Sequence, residues 1–243
     1  MRTFAADLHV HTALSPCGAD EMTPPAIVRA ARDRGLAMIA ICDHNSARNV
    51  AAVREAAAAD PCVIAGLELT TAEEIHVLGL FPDDTAALAV GEAVGATLPA
   101  ATAATRRHYG PQTLCDAAGR AVGEERRLLA AASGFALAAA VALIRSHGGL
   151  AVAYHLDRPS YSVFAQLGLW PADVVFDAVE ISPVDASPPW RDAVRALPHP
   201  VLRGSDAHFL EELGACRTRL RLAAPSFGEL ALALRGAAGR GLA

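Results

Sequence analysis

The sequence contains no lysine, and all 21 basic residues of the 243-residue chain are arginine. This absence excludes Schiff-base chemistry, a phosphate-binding lysine of the Walker type and a metal centre bridged by a carbamylated lysine, since each of these needs the lysine amine. If the chain binds phosphate groups through cationic side chains, arginine must supply them, and its planar guanidinium suits that task.

Disulfide frameworks and membrane-spanning runs are also missing. The five cysteines are widely spaced and form no C-x-x-C pair, so we expect reduced, mostly buried thiols and a cytoplasmic protein. The uncharged stretch Leu128–Ile144 has 17 positions, just short of a bilayer span. We predict instead a buried helix that begins near Ser133 and ends at His147. We expect no signal peptide and no membrane partner.

Composition favours a globular domain. Hydrophobic residues make up 53% of the chain and charged residues 19%, which is typical of a folded core. The net charge of -5 gives no electrostatic reason to expect stable nucleic-acid binding. The length suits one large domain, so we predict a single domain over residues 1–243 with a helical insertion at about 83–146. The oligomeric state stays open.

Short apolar runs of strand length alternate with helical patterns along most of the chain. Such alternation favours a parallel, barrel-like sheet with helices outside. The predicted strands are Thr3–His9, Ala37–Cys42, Cys62–Leu69, Ile75–Phe81, Leu150–Tyr154, Ala178–Ile181 and Val201–Arg203, and Cys216–Leu222 is a further candidate.

Histidines and carboxylates lie in or just after these strands. In a parallel barrel the strand ends open onto one face, where we expect these side chains to converge. Residues two apart in an extended segment point the same way, so an H-x-H or D-x-H pair forms a clamp. The residues are His9, His11, His44, Glu68, His76, His155, Asp206 and His208.

This set predicts a metal centre. Imidazole and carboxylate ligands suit Zn²⁺, Mn²⁺ or Fe²⁺, and the carboxylate of Glu68 could bridge two ions. Cys17, in the loop after His11, is a candidate further ligand, and Asp20 competes with it for that role. Asp7 and Asp43 are candidates to orient an imidazole or to cap a strand end.

The motifs DLHVHT, CDHN, GLELTT, AYHLD and GSDAH occur in this order from Asp7 to His208. Together with a histidine between the third and fourth motifs, they resemble the PHP (polymerase and histidinol phosphatase) superfamily. The resemblance implies a distorted seven-stranded (β/α) barrel of the TIM-like type, with three metal ions at its C-terminal face.

The resemblance also implies a ligand set. His9, His11, Glu68 and Asp206 would hold a first ion, Glu68, His76 and His155 a second, and His44 and His208 a third. Members often carry a histidine or an aspartate in the loop after H-x-H, where this chain offers Cys17 or Asp20. The segment 83–146 matches no motif of the family.

We therefore hypothesise a phosphoesterase that hydrolyses a small phosphate ester or a nucleotide by a metal-activated hydroxide. Glu68, Asp206 and His208 are the expected catalytic residues. Arg158 is the first candidate to bind the substrate phosphate and Arg48 a weaker one. An amidohydrolase acting on C–N bonds and a non-catalytic metal-binding module are the alternatives.

Overall fold

The computed structural model describes residues 1–181, 192–194 and 196–243. Its strands are β1 (Arg2–Val10), β2 (Met38–Ile41), β3 (Cys62–Thr70), β4 (His76–Phe81), β5 (Thr113–Cys115), β6 (Ala121–Glu124), β7 (Leu150–Ala153), β8 (Ala178–Ile181), β9 (Val201–Arg203), β10 (Thr218–Leu222) and β11 (Gly241–Leu242). Its helices are α1 (Pro24–Asp33), α2 (Val50–Ala57), α3 (Asp84–Gly95), α4 (Ala103–Tyr109), α5 (Leu137–Ser146), α6 (Val163–Leu167) and α7 (Phe227–Leu234). None of the described helices is long and apolar enough to cross a membrane.

Nine strands form one curled sheet in the order β11-β10-β1-β2-β3-β4-β7-β8-β9. The predicted α/β class is confirmed, but the sheet is mixed and not fully parallel. β4 runs antiparallel to both of its neighbours, because the short turn between β3 and β4 allows only a hairpin. β10 and β11 are added antiparallel beyond β1, which gives nine strands where seven were expected.

After β9, at one edge of the curled sheet, the chain returns to the end of β1. Val10 at the end of β1 forms an isolated parallel bridge with Ala207, and the amide of His11 donates to the carbonyl of Ala207 at 3.0 Å. The segment that carries Asp206 and His208 therefore lies directly beside the segment that carries His9 and His11.

Side-chain alternation gives the sheet two apolar faces. One face packs against the helices, and the other encloses an interior core that includes Leu8, Ile64 and Leu78. Because residues two apart in a strand face the same side, Glu68 continues the row of Ile64, and His76 continues the row of Leu78. The interior is thus apolar along most of its depth and polar at one end.

One predicted helix start is wrong, and the segment 83–146 contains strands as well as helices. The helix predicted from Ser133 begins at Leu137, because the amide of Ser133 donates to the carbonyl of Thr70 and the carbonyl of Phe135 accepts from Ala72. The segment 83–146 is less helical than expected, since β5 and β6 pair there as an antiparallel hairpin.

A buried carboxylate attaches this hairpin segment to the rest of the protein. Glu125 is 3% exposed, pairs with Arg48 at 3.0 Å and Arg127 at 2.9 Å, and accepts from the amides of Arg126 and Arg127. Although burial acts to raise the pKa of Glu125, the hydrogen bonds from Arg127 and Arg48 lower it to about 2. Glu125 therefore joins the hairpin to the chain after β2.

We predict that Glu125→Gln lowers the free energy of unfolding by about 1.5–3 kcal/mol, the range for hydrogen bonds to charged groups. The folded-state pKa lies below the ordinary 4.5. The ionised Glu125 carboxylate therefore contributes its full share to the free energy of unfolding above about pH 4.5, and this share is lost as the pH falls towards 2. Urea denaturation at several pH values measures it.

The matched control is Glu124→Gln, because Glu124 is 44% exposed and pairs with Arg106 at the surface. The free energy of unfolding of Glu124→Gln should be lower than that of the wild type by less than about 1 kcal/mol. Equal losses in the two variants would contradict the anchoring role of Glu125.

Candidate metal centre

The polar end of the interior brings together residues from across the sequence. β1 supplies His9, and His11 follows it; His44 follows β2, Glu68 lies in β3 and His76 is the first residue of β4. Because β4 runs in the opposite direction, its first residue lies at the end where its neighbours finish. His155 follows β7, and Asp206 and His208 follow β9.

The donor atoms of these residues face one another at short distances. The Nε2 atoms of His9 and His11 lie 3.0 Å apart, and His11 Nε2 lies 3.1 Å from Asp206 Oδ1. The Glu68 carboxylate lies between His44 Nδ1, at 2.8 Å, and His76 Nδ1, at 2.6 Å. Side chains 195 positions apart in sequence, such as His11 and Asp206, thus share one small space.

Within the part of the chain that the structure describes, three groups of side chains have ligand atoms within 4.8 Å of one another. His155 belongs to none of the three, although its ring centroid lies 5.3 Å from that of His76. The groups are His9–His11–Asp206, His44–Glu68–His76 and His11–His44–His208.

The cluster fits metal ions because its polar atoms lack other partners. Among the described residues, nine side-chain nitrogen or oxygen atoms are buried without a hydrogen-bond partner, and all nine lie in this region. The short distances around Glu68 do not have hydrogen-bonding angles. Buried polar atoms are ordinarily paired, so a shared set of cations accounts for this concentration. The atoms belong to His9, Glu68, His76, Tyr154, His155, Glu180 and His208.

Charge supports the same interpretation. Burial acts to raise the pKa of Glu68, but the imidazoles of His76 and His44 hold it well below the ordinary 4.5. Burial likewise acts to raise the pKa of Asp206, but the imidazoles of His9 and His11 hold that pKa well below the ordinary 3.8. Both carboxylates are therefore ionised at neutral pH and attract cations.

A hydrogen-bond relay fixes the orientation of His11. Asp43 accepts from the hydroxyl of Ser15 at 2.7 Å, so the Ser15 oxygen is left to accept from His11 Nδ1 at 2.8 Å. The lone pair of His11 Nε2 then faces the cluster, as a metal ligand requires. The sequence reasoning named Asp43 but missed Ser15, because a serine in a loop carries no distinctive pattern.

A hydrogen bond from behind also orients the imidazole of His208, whereas His9 has a buried carboxylate nearby at a longer distance. His208 Nδ1 lies 2.9 Å from the carbonyl oxygen of Asp206, which leaves its Nε2 towards the cluster. His9 Nδ1 lies 3.8 Å from Glu180 Oε1. Glu180 is fully buried and was missed, although an acidic residue in the apolar strand AVEI is the same signal that identified Glu68.

Asp7 has a different role from that of Asp43. Its carboxylate accepts from the amide of Ser205 at 3.0 Å, its hydroxyl at 2.6 Å and the amide of Gly214 at 2.7 Å. Asp7 therefore holds the loop that carries Asp206 and His208. Its described hydrogen bonds include none to an imidazole.

The loop after His11 places Cys17 at the rim. Burial acts to raise the pKa of Cys17, but the neighbouring imidazoles of His208 and His44 lower it to about 6. Asp20, the competing candidate, is exposed, and no described contact joins it to the cluster. Cys17, His155 and Asp206 all have positive φ angles, of 66°, 25° and 55°, which few residues other than glycine adopt.

The two candidate arginines lie in different surroundings. Arg158 reaches the cluster, since its Nη1 donates to Asp206 Oδ2 at 2.9 Å. Arg48 instead pairs with Glu125, and no described contact joins it to the histidines. Three histidines left outside the predicted site pack elsewhere: His108 on Tyr109, His147 against Leu143 and His199 beside Trp170.

Comparison with known families gives two matches along the chain. The profile of the PHP domain matches residues 7–150, and that of a PHP-associated segment matches residues 191–238. A search of curated proteins found no significant match.

Several solved structures share the fold. Endonuclease Q from Pyrococcus furiosus has a TM-score of 0.74 at 19% identity, covering 99% of this chain and 58% of that chain. Endonuclease Q in complex with a 27-mer duplex bearing an abasic lesion has a TM-score of 0.71 at 17% identity, with the same coverage. This chain thus spans little more than half the length of those proteins.

Two further structures are matched over most of both chains. A proposed metal-dependent phosphoesterase from Bifidobacterium adolescentis has a TM-score of 0.58 at 21% identity, covering 84% of this chain and 87% of that chain. An amidohydrolase from Chromobacterium violaceum with bound sulfate and no metal has a TM-score of 0.58 at 22% identity, covering 87% and 90%. At these identities the likeness establishes the fold.

We predict that Mn²⁺ or Zn²⁺ raises the unfolding free energy of the chain, by about 3 kcal/mol at a hundredfold excess over Kd. Glu68→Gln removes the charge that faces His44 and His76, so this variant should fold but bind fewer ions. Thermal unfolding with and without a chelator, together with elemental analysis, measures both effects.

Glu55→Gln is the control, since Glu55 is an exposed residue of α2 and should leave metal binding unchanged. Equal metal content in Glu68→Gln and the wild type would rule out Glu68 as a ligand.

Proposed function

The chain belongs to the PHP family, and on that premise we propose that it is a metal-dependent phosphoesterase that hydrolyses a small phosphate ester or a nucleotide. Family membership supports hydrolase chemistry that depends on metal ions. The observation that carries the proposal is the convergence of buried, unpartnered imidazoles and carboxylates at one end of the curled sheet.

The proposed ligand set follows the motifs. His9, His11, Glu68 and Asp206 hold a first ion, Glu68, His76 and His155 a second, and His44, His208 and Cys17 a third, with Zn²⁺, Mn²⁺ or Fe²⁺ as the candidates. The seven strands from β1 to β9 within the sheet would form the distorted barrel, because the bridge from Val10 to Ala207 returns the chain to β1.

Bound divalent ions lower the pKa of water and neutralise phosphoryl charge. The protein's own residues hold the reacting groups in place. Glu68 lies between two imidazoles, and Asp206 lies between the histidine pair and Arg158. His208 is oriented by the carbonyl oxygen of Asp206. Glu68, Asp206 and His208 are therefore the residues on which we expect turnover to depend most.

Arg158 is the proposed phosphate-binding residue. Its side chain is 32% exposed and donates to Asp206, so one part of the guanidinium is held while the rest can reach a ligand. A guanidinium binds a phosphate through two parallel hydrogen bonds. Arg48 is the weaker candidate for this role, because its partner is Glu125.

Tyr161 provides a specific reason to favour a nucleotide within this substrate class. Its ring stacks on His76 with centroids 4.5 Å apart and planes 19° apart, and it is 44% exposed. An exposed aromatic ring beside a phosphate-binding centre can stack on a nucleobase. The DNA seen with endonuclease Q belongs to that protein, and the acidic charge of this chain favours a small ligand.

One screen separates the three candidate functions. Freshly purified protein is subjected to elemental analysis and then tested with added Mn²⁺ on phosphate esters, nucleotides and C–N substrates. Phosphate release that disappears in Glu68→Gln supports the proposal. Cleavage of C–N bonds alone would establish the amidohydrolase reading, and a metal-loaded but inert protein would establish the non-catalytic one.

Arg158→Ala should raise KM for phosphate substrates about ten- to hundredfold, because a charged hydrogen bond contributes about 1.5–3 kcal/mol. Metal content should change little. Arg145→Ala is the control, since Arg145 on α5 pairs with Asp177. Loss of metal without a rise in KM would contradict phosphate binding by Arg158.

Tyr161→Ala should raise KM for a nucleoside monophosphate by about fivefold or more, since stacking contributes about 1–3 kcal/mol per base. Tyr161→Phe keeps the ring and should behave like the wild type. A sugar phosphate provides the internal comparison, because it offers no base. An equal effect on both substrates would show that Tyr161 acts only through His76.

A further inference from the structure

Many arginines of this chain pair with carboxylates. Eight of the arginines that the structure describes form such ion pairs. Five others form none with any described residue, although hydrogen bonds bring their segments of the chain together. These five residues define the arginine surface: Arg34, Arg203, Arg217, Arg219 and Arg221.

The alternation of side chains along β10 decides which way its arginines face. Leu220 and Leu222 belong to the interior core, so Arg219 and Arg221 point to the outer side of the sheet, where both are exposed. The register agrees with this, because Arg219 lies opposite Ala5, which packs against the core on the helix side of the sheet. β10 therefore presents a row of arginines to solvent.

Hydrogen bonds join the other three arginines to this row. The amide of Arg203, at the end of β9, donates to the hydroxyl of Thr218 in β10 at 2.8 Å. The guanidinium of Arg217, just before β10, donates to the carbonyl oxygen of Arg34 at 3.3 Å. A carbonyl oxygen is neutral, so it leaves the positive charge in place. The net charge of -5, from which we expected no stable nucleic-acid binding, averages over this uneven distribution.

Protection of a sheet edge does not account for the whole surface. Charged side chains on an edge strand prevent pairing with the sheet of another molecule. β10, however, already pairs with β11 on its outer edge, and Arg34 and Arg203 lie outside β10. A ligand of negative charge accounts for all five arginines.

The arginine surface offers charge without apolar anchors. Protein interfaces and membrane-bound surfaces depend on exposed apolar side chains, and none of the exposed large apolar residues described lies in β10. Leu242 in the neighbouring β11 is opposite Leu220, so it faces the inner side. A guanidinium, by contrast, binds phosphate through two parallel hydrogen bonds. Residues two apart in a strand lie about 6.5 Å apart, and the phosphates of a nucleic-acid strand repeat on the same length scale.

We propose that the arginine surface binds the phosphate backbone of a single strand of nucleic acid, without reading its sequence. Arg203 precedes Asp206 by three residues, so a strand bound here contacts the segment that leads to the metal centre. The inference goes beyond the proposed function, because it requires binding and not hydrolysis of the bound strand.

The salt dependence of binding tests the surface. Fluorescence anisotropy of the metal-loaded protein measures Kd for a labelled single strand of about 20 nucleotides, which is longer than a typical site, with gel electrophoresis as the check that the strand stays intact. Each phosphate contact contributes about 0.7 to the slope of log K against log salt. The double variant Arg219→Ala, Arg221→Ala should therefore bind with a slope smaller by about 1.4, and about tenfold more weakly at low salt.

The matched control is the double variant Arg107→Ala, Arg126→Ala. It removes the same charge from two exposed arginines outside the surface, neither of which forms an ion pair with a described residue. Its slope and affinity should equal those of the wild type. Equal losses in the two double variants would overturn the proposal. So would unchanged binding by Arg219→Ala, Arg221→Ala in a protein that circular dichroism shows to be folded.

Two further probes test the kind of partner. Poly-glutamate represents an acidic protein segment, and vesicles of anionic phospholipid represent a membrane surface. Both should bind about tenfold or more weakly than the nucleic-acid strand at the same salt concentration, because the surface has no apolar anchors. Equal or tighter binding of either probe that is lost in Arg219→Ala, Arg221→Ala would overturn nucleic acid as the ligand.

Discussion

The structure depends on one electrostatic constraint. Buried imidazole nitrogens and carboxylate oxygens face one another, and they have more lone pairs than there are N–H or O–H donors to pair with them. The Nε2 atoms of His9 and His11 are 3.0 Å apart, and the Glu68 carboxylate lies between two imidazoles. A buried polar atom without a partner costs about 1–3 kcal/mol, so leaving many such atoms unpartnered would strongly destabilise the fold. Divalent cations satisfy the constraint, since each can bind several lone pairs at once.

The sheet and the loops each contribute to this arrangement. Alternation along the strands fills the interior with apolar side chains and leaves polar ones at one end, and the reversed direction of β4 brings His76 to that end. Two buried carboxylates then fix the loops. Asp7 holds the segment of Asp206 through Ser205 and Gly214, and Asp43 holds the segment after His11 through Thr12 and Ser15.

Much of this could be predicted because strand ends are visible in sequence. The H-x-H pair follows an apolar run, so the placement of His9 and His11 at one strand end could be predicted from strand geometry. Asp206 has a positive φ and is not part of an extended segment, so the position of Asp206 and His208 depends also on the bridge between Val10 and Ala207. Ser15 could not be predicted, because its role depends on a hydroxyl placed between two side chains by tertiary packing. Glu180 carried a signal that could have been recognised, since charge inside a buried strand needs an explanation. The candidate strand Cys216–Leu222 is confirmed as β10 (Thr218–Leu222), whereas β11 was missed because a strand of two residues has no distinctive period.

The most direct test of the metal centre is an anomalous difference map from a crystal of the metal-loaded protein, collected at the zinc, iron and manganese absorption edges. The account predicts at least two separate peaks among His9, His11, His44, Glu68, His76, Asp206 and His208. A map without such peaks, or one in which these side chains point away from one another, would contradict it.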